Sequence, residues 1–465
     1  MIFKFKQVCL IPLFVLILSG PSRADGLLDQ IADNAVYKLK TTYTVFKHPV
    51  ENIDVSNSQV STLERLLNRT FNRPSSTDLD NSRRAIYSTL NMETEAILTE
   101  DDFYSWVNLD LVAMFGTLPQ VGRGVFRHPN DEQAQAHWLD AKRVAYHAEV
   151  MDGDAELIVG KELISLGLNE IYSPTDRFGM AVAVDPSEAE EHGVWQMGFK
   201  FFSEDDRFEY RFIPFHERGA VANGKNRWQG LMSQTGEVVV APFQWRNVGN
   251  LISYNAVRQG YDWFVLAHHG QAAYPVPMQG RNSSISGAMD LPDLVSPNAW
   301  SFGGGFAVVE GKWKFFGETL AQITDHDLDQ DYLMYSLGFS YRETNWANKM
   351  GLNEITYYLE YGGEAVLDKQ KNRNYLVGNS YTYRQNLDTL FPKMEMRVSD
   401  TWSGVLQGAI NLRDNDYTFG AGVEYKYSDN LKFRAGYTDF NGGRDTIYGN
   451  WDQNDVIKAN LEYKF

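Results

Sequence analysis

The chain has 465 residues, 14% of them aromatic, and a formal net charge of −17. Because nucleic-acid phosphates require a basic surface, this acidic balance argues against a nucleic-acid partner. Cys9 is the only cysteine, which excludes an intramolecular disulfide framework and a zinc–thiolate site.

Residues 1–24 are expected to form a secretory signal peptide. Lys4 and Lys6 precede an apolar run from Cys9 to Leu18, and small residues occupy the cleavage positions before residue 25. The apolar run is too short to span a bilayer as a permanent helix. We therefore expect an exported protein whose mature chain begins at residue 25.

The segment 25–82 differs in character from the rest of the chain. Residues 35–46 are predicted to form a first strand, and a capping-box pattern (S-T-L-E) at 61–64 predicts a short amphipathic helix. The placement of residues 47–82 is open: this helix would cover one mouth of a barrel, enter its interior or belong to an outer loop.

From residue 83 to the C-terminus, successive segments alternate apolar and polar residues with a period of two. A strand points alternate side chains to opposite faces, so each segment has one apolar and one polar face. Counting the first strand, the predicted strands are 35–46, 83–97, 103–115, 143–151, 154–160, 194–203, 206–213, 249–257, 261–268, 301–309, 312–323, 331–342, 354–361, 393–399, 401–412, 418–427, 431–438 and 457–465.

The last predicted strand has the clearest alternation. Its odd-numbered residues are apolar and end in Tyr463 and Phe465, whereas the even-numbered residues from 458 to 464 are polar. A terminal aromatic residue on an amphipathic strand resembles the signal by which bacterial outer-membrane barrels are recognised for insertion. Phe465 is therefore predicted to be an insertion signal.

The connections between these strands alternate between short turns and long loops, an arrangement typical of outer-membrane barrels. The turn 343–353 is long for the side on which it falls. The sequence thus predicts an all-β, transmembrane, antiparallel up-and-down β-barrel over 83–465 with 18 strands, or 16 without the first. A soluble β fold is the alternative.

The segment 157–215 contains the most family-like pattern. Gly160-Lys161 at the end of a strand, followed by Gly167 and by Pro174 and Asp176, is similar to a stretch of porin-like and alginate-export-like proteobacterial barrels. Glu162 stands where that group has glutamine. Because the loop either folds into the barrel and narrows it or packs at the rim, the constriction candidates are Lys161, Glu162, Asp176 and Arg177.

Charged residues on the polar faces of the other strands are expected to line the barrel interior. Opposite charges are favoured on neighbouring strands, because like charges facing each other destabilise a sheet. A mixed lining suits polar solutes, and a lattice of ion pairs that plugs the interior is the alternative. These pore-lining candidates are Arg342, Glu354, Glu360, Arg397, Glu424, Lys432, Arg434 and Lys458.

Two other clusters suggest chemistry. Asp325, Asp327 and Asp329 place carboxylates at alternate positions, but the segment lacks the glycine and glutamate of an EF-hand and is interpreted as an acidic outer loop, with divalent-cation binding as the alternative. His268 and His269 have no accompanying G-x-S-x-G or H-E-x-x-H motif. No catalytic residue, structural metal or cofactor is predicted.

The expected function is a porin-like outer-membrane channel of a Gram-negative bacterium that passes small polar solutes by diffusion. The alternatives are a dedicated export pore for a polysaccharide or hydrophobic solute, and a surface enzyme or adhesin with a filled barrel. The expected partners are outer-membrane lipid and lipopolysaccharide, the barrel-assembly machinery and the solute. A homo-oligomer is compatible with the sequence.

Overall fold

A computed structural model describes residues 31, 33–47, 84–100, 103–120, 135–182, 190–214, 238–239, 247–272, 276–278, 293–325, 329–368, 388–443, 446 and 448–465. The predicted signal peptide, the predicted helix near residue 61 and Asp327 lie outside these residues. Within them, no helix combines the length and apolarity needed to cross a bilayer.

Eighteen antiparallel strands form one sheet. Their order along the sheet is their order along the chain. The strands are β1 Val36–Phe46, β2 Arg84–Glu100, β3 Phe103–Gln120, β4 Gln135–Val150, β5 Ala155–Glu162, β6 Val194–Ser203, β7 Asp206–Ile213, β8 Gly249–Arg258, β9 Tyr261–Gln271, β10 Asn298–Glu310, β11 Trp313–Thr324, β12 Asp331–Glu343, β13 Glu354–Asp368, β14 Asp388–Arg397, β15 Trp402–Asn411, β16 Asp416–Lys426, β17 Leu431–Asn441 and β18 Val456–Lys464.

The sheet closes on itself because β1 pairs with both β2 and β18. Lys38 faces Lys464 at one end of the β1–β18 seam, and Phe46 faces Val456 at the other. Closure leaves no free strand edge, which is what allows a sheet to satisfy its backbone without water. The prediction of an 18-strand up-and-down barrel is confirmed, and the strand that distinguishes 18 from 16 is β1.

The connections sort by length as predicted. The end of the barrel that contains Phe465, here the short-turn end, carries mostly brief connections, and the opposite end, the long-loop end, carries most of the long ones. The exceptions at the long-loop end are the short connections 325–330 and 412–415. The long turn 344–353 at the short-turn end contains a small helix, α1 (Asn345–Lys349). The Glu343 carboxylate accepts hydrogen bonds from the backbone N–H of Asn345 and Trp346 at 2.6 and 3.0 Å, which anchors this helix.

The two faces of the strands differ as the alternation predicts. On β18, Ile457 and Tyr463 point outward and are 55% and 43% exposed, whereas Lys458 points inward and is 6% exposed. An outward belt of exposed aromatic rings continues around the barrel and includes Trp263, Trp300, Phe302, Phe306, Trp313, Phe315, Trp402, Phe419 and Phe433. An apolar exterior around a polar interior is typical of barrels that sit in lipid.

Some strand boundaries differ from prediction: β4, predicted at 143–151, begins at Gln135, and another difference lies at a proline. The prediction begins a strand at residue 393, but β14 begins at Asp388 and includes Pro392. Pro392 faces Leu359 of β13, while no residue pair joins positions 391–392 to β15. Proline has no N–H to donate, so the β14–β15 ladder is interrupted there without ending the strand.

Smaller elements lie outside the barrel sheet. Met180–Val182 pairs with Glu190–His192, and Asp293–Val295 pairs with Val238–Val239 and Val276–Met278. Met151–Gly153 and Gly449–Asn454 are 3₁₀ helices. The main apolar core lies inside the barrel, between the wall and the chain that follows β5.

Candidate functional site: a lumen with a filled and an open half

Residues 163–179, here the infolded loop, follow β5 and enter the barrel interior. Ile164, Leu166 and Phe178 of this loop are buried against the wall strands. Their partners from β6 to β12 are Val194, Ile213, Leu251, Phe264, Leu266, Leu320, Tyr332 and Met334. The wall from β5 to β13, together with the infolded loop, is the filled half of the lumen.

One wall carboxylate, Glu318 of β11, accepts five hydrogen bonds from the infolded loop. The backbone N–H groups of Leu168 and Asn169 donate to Oε1 at 2.6 and 2.7 Å. The hydroxyls of Ser173 and Thr175 donate to Oε2 at 2.6 and 2.7 Å, and the Thr175 N–H donates at 3.3 Å. Hydrogen bonds to a charged acceptor are the stronger kind, so Glu318 is a major anchor of the loop.

A second wall carboxylate, Glu360 of β13, holds the next part of the loop. The backbone N–H groups of Glu170 and Ile171 donate to Oε1 at 3.0 and 2.8 Å, and that of Tyr172 donates to Oε2 at 2.9 Å. Consecutive N–H groups that converge on one anion form a nest. Glu360 is completely buried, so its charge is compensated by these donors.

Side-chain contacts complete the attachment of the loop. The Tyr172 ring stacks on Phe391 of β14 with centroids 5.3 Å apart. Arg177 donates to the Tyr172 hydroxyl at 3.0 Å and to Glu364 of β13 at 3.3 Å. A Cβ atom placed on Gly362 of β13 would lie 2.5 Å from the Tyr172 ring, so only glycine leaves room for it.

Lys161 and Glu162 are buried at the point where β5 leads into the infolded loop. Glu162 accepts from His147 at 3.0 Å and pairs with Arg143 at 2.8 Å, and Lys161 lies 3.7 Å from Asp140. These predicted constriction residues therefore have protein partners in the wall, and they anchor the start of the infolded loop.

Asp176 of the infolded loop faces Glu191 of the outer hairpin 180–192. Burial and the neighbouring Asp176 carboxylate raise the pKa of Glu191 to about 7. Burial also raises the pKa of Asp176, and the nearby Glu318 adds to this effect. Ionisation of both carboxyl groups would therefore place two like charges between the loop and the strand Glu190–His192.

The wall from β13 to β18 is the open half and surrounds a cavity of about 480 Å³. Three acidic and three basic side chains line it: Glu354, Glu395, Glu424, Arg397, Arg434 and Lys458. Hydrogen-bonding groups lie between them, contributed by Thr356, Ser403, Gln407, Thr438 and Asn460.

The charged side chains of the open half pair with one another, both across strands and along one strand. Arg434 of β17 lies between Glu424 of β16 and Glu462 of β18, at 2.5 and 3.4 Å. Lys393 of β14 pairs with Glu395 at 2.7 Å, on the same interior face. These charges are partly exposed, so they remain accessible to a solute and are screened by salt.

Glycine makes the wall of the open half thin. Gly422 of β16 and Gly436 of β17 face each other across the ladder, with Val405 and Lys458 on either side. A Cβ atom added to Gly436 would lie 3.3 Å from the carbonyl oxygen of Ala421 and would contact no atom of the infolded loop. The absence of side chains here leaves the space that becomes the cavity.

The structure separates the predicted pore-lining residues into two groups. Around the cavity lie Glu354, Arg397, Glu424, Arg434 and Lys458. Arg342 and Lys432 are interior positions near the short-turn end, and Arg342 lies 3.7 Å from Glu354. In the filled half lie Lys161, Glu162, Asp176, Arg177 and Glu360.

Sequence reasoning missed Glu318, although it accepts the most hydrogen bonds from the loop. Its strand has Phe316 and Leu320 on the same interior face, because this part of the wall packs against an apolar core. Polar alternation, which identified Glu360, is therefore weak on β11.

Among the described residues, the members of the other candidate clusters do not come together; Asp327 lies outside these residues. His268 is buried inside the barrel, whereas His269 points outward and packs on Trp300. Asp325 lies 3.8 Å from His269, and the Asp329 carboxylate accepts from the next backbone N–H. Among the residues that the structure describes, no three acidic, histidine or cysteine side chains cluster as metal ligands do.

The fold is similar to that of solved porins. OccAB3 and OccAB1 of Acinetobacter baumannii each match with a TM-score of 0.53, covering 93% of this chain and 98% and 96% of theirs, at 9% and 7% identity. A BenF-like porin from Pseudomonas fluorescens matches with a TM-score of 0.51, covering 93% of this chain and 97% of its own, at 9% identity. No family profile and no curated protein matches the sequence. The chain therefore has a porin-type barrel fold.

Proposed function

We propose that this protein is a channel of the Gram-negative outer membrane through which small polar solutes diffuse. The observation that carries the proposal is the division of the interior: one half is filled by the infolded loop, and the other encloses a cavity of about 480 Å³ lined by balanced charges. The aromatic exterior supports a place in lipid, and the likeness to porins supports a channel.

The passage would run along the open half. Three cations and three anions alternate there with neutral hydrogen-bonding groups, so a solute exchanges its water for wall contacts at each step. Selection would depend on the width left beside the infolded loop and on the field of the lining charges. Arg342 and Lys432 would extend this lining towards the short-turn end.

The alternatives are less well supported. A pore for a polysaccharide, which the likeness to alginate-export barrels suggests, requires a wide bore, whereas the infolded loop fills half of this one. An enzyme at the barrel surface would need a catalytic set, and the adjacent histidines point to opposite faces of the wall. A small-solute channel is the function that the geometry favours.

The first experiment is single-channel recording of the refolded barrel in planar bilayers, with the ion selectivity measured at two salt concentrations. We expect stable conductance steps and a selectivity that weakens at high salt, because the lining charges are screened there. Vesicle swelling with neutral sugars of increasing size would give the solute limit.

A heat-unfolded sample of the same preparation is the control for membrane leakage. A barrel that is folded, as judged by its heat-dependent migration in gels, but that gives no conductance and no swelling would overturn the proposal.

A further inference from the structure

We propose that Glu318 and Glu360 set the bore of the channel by holding the infolded loop against the wall. The two carboxylates are positioning residues: they accept hydrogen bonds from the loop and need not contact the solute. This inference deepens the proposed function, since it names the groups that decide which solutes are small enough to pass.

The hydrogen bonds of the loop converge on these two carboxylates. Residues 168–175 direct six backbone N–H groups and two hydroxyls towards the wall, and each of these donors reaches Glu318 or Glu360. A backbone in this irregular conformation has no strand partner of its own. Without these acceptors its N–H groups would be buried and unsatisfied, so the infolded conformation depends on them.

The apolar contacts alone would leave part of the loop unattached. They involve residues 164, 166 and 178, at the two ends of the loop, with Leu168 packed at the edge of the cluster. The central residues 169–175 lie along β11 to β14 and are held mainly by the carboxylates. The stacking of Tyr172 on Phe391 and the ion pair of Lys314 with Glu170 add to this attachment. Loss of the carboxylates would therefore release the middle of the loop into the open half or the bulk solvent.

The main test combines Glu318→Gln and Glu360→Gln. Glutamine keeps the size of the side chain but replaces one acceptor oxygen with an NH₂ group. This group is itself a donor, so it cannot accept a hydrogen bond from the N–H groups of the loop. The reporter is Pro174→Cys in a Cys9→Ser background, where it is the only thiol; Pro174 lies in the middle of the loop and is buried in the parent barrel.

We expect maleimide labelling of Pro174→Cys to accelerate by roughly tenfold or more in the double variant, since each lost hydrogen bond to a charged acceptor corresponds to at least that factor. The conductance and the size limit for neutral sugars should change together with it. Glu424→Gln is the matched control: it removes a carboxylate that does not contact the loop, so labelling should stay at the parent rate.

A second variant perturbs the loop without altering either carboxylate. Gly362→Ala would place a methyl group 2.5 Å from the Tyr172 ring and should also accelerate labelling. Gly436→Ala, whose added methyl group meets no loop atom, is its control. If the double glutamine variant does not fold, Gly362→Ala and the single Glu360→Gln variant provide the test.

The labelling rate separates this inference from the proposed function. A barrel that conducts nothing, but whose reporter becomes reactive when the carboxylates are replaced, would overturn the channel and retain the loop anchors. Folded variants with unchanged labelling and an unchanged sugar limit would overturn the anchors and retain the channel.

Discussion

The filled and open halves of the lumen are both built from antiparallel strands of one sheet, yet their interior side chains find partners differently. In the filled half, Phe264 and Leu320 pack against an inserted loop, and Glu318 and Glu360 accept its hydrogen bonds. In the open half, Arg434 and its acidic neighbours pair with one another around a cavity.

The difference shows how a barrel of this size obtains both stability and a passage. Eighteen strands enclose more space than wall side chains alone fill. An apolar core inserted on one side contributes packing free energy, whereas charges on the other side retain water and solute access. We therefore expect stability to depend on the filled half and selectivity on the open half.

The largest expected effect comes from truncating the inserted core. Phe264→Ala removes a 2% exposed ring and should lower the free energy of unfolding by about 3–5 kcal/mol. Val405→Ala, on the partly exposed wall of the open half, should cost less than about 1 kcal/mol. Urea titration of both variants in lipid vesicles measures the difference. An equal decrease in the free energy of unfolding in both variants would contradict the division of the lumen into two halves.

Two arginines provide a matched test of charge. Arg211 of the filled half is buried and pairs with Glu209, which is 2% exposed. Arg211→Ala would leave that buried carboxylate with only the more distant Arg207, at 3.9 Å, and should cost about 3 kcal/mol with little change in ion selectivity.

Arg434→Ala should have the opposite profile. Its ion pairs are partly exposed, so the loss of stability should stay within about 1 kcal/mol. The cavity would lose one of its three cations, and the reversal potential in a salt gradient should move towards cation preference. A selectivity change in Arg211→Ala of the same size would indicate that both halves conduct.

A bulky substitution should locate the passage. Gly436→Trp adds an indole to the thin interior wall of the open half and should remove most of the single-channel conductance. Ala459→Trp places the same ring on the outward face of the neighbouring strand, where other aromatic residues are exposed, and should leave the conductance at the parent level. A Gly436→Trp channel with full conductance would place the passage elsewhere.

The smallest expected effect is a pH dependence at the edge of the filled half. Because the pKa of Glu191 is raised to about 7 in the folded state, the folded barrel binds this proton more tightly than the unfolded chain. The contribution of the Glu191 proton to the free energy of unfolding is therefore fully present below pH 4.5, the ordinary pKa of this side chain. It is lost as the pH rises through about 7.

Amide hydrogen exchange of residues 176–192 measures this loss of stability. After correction for the intrinsic exchange rate, the amides should be less protected at about pH 8 than at about pH 5. Glu191→Gln should make the protection almost independent of pH. Asp176 would contribute any dependence that remains, since the shift of its pKa has the same sign. A wild-type profile that does not change with pH would contradict the linkage.

Much of the fold was predictable because a barrel wall separates two solvents. The alternation on β16 to β18 follows directly from an apolar exterior and a polar interior, and so do the interior positions of Glu424, Arg434 and Lys458. Pro392 was misleading at one boundary, because a barrel strand accommodates an interrupted ladder on one side if the other side remains paired.

Prediction was poorer in the filled half for the same physical reason. Where the interior is apolar, Phe316 and Leu320 face inward while other apolar residues face outward, so β11 has no strong periodic contrast. Glu318 therefore had no sequence signal, and the loop residues that bind it are 143 to 150 positions away in the chain.

The sequence by itself determined a barrel of 18 or 16 strands and the side of the wall on which most charges lie, because these depend on local alternation and on the lengths of connections. The pairing of β1 with both neighbours then fixed the number at 18. Only the tertiary structure decided that residues 163–179 enter the lumen, that Glu318 and Glu360 accept their hydrogen bonds, and that a cavity lies along β13–β18. These features depend on contacts between residues distant in the chain, which no local pattern encodes.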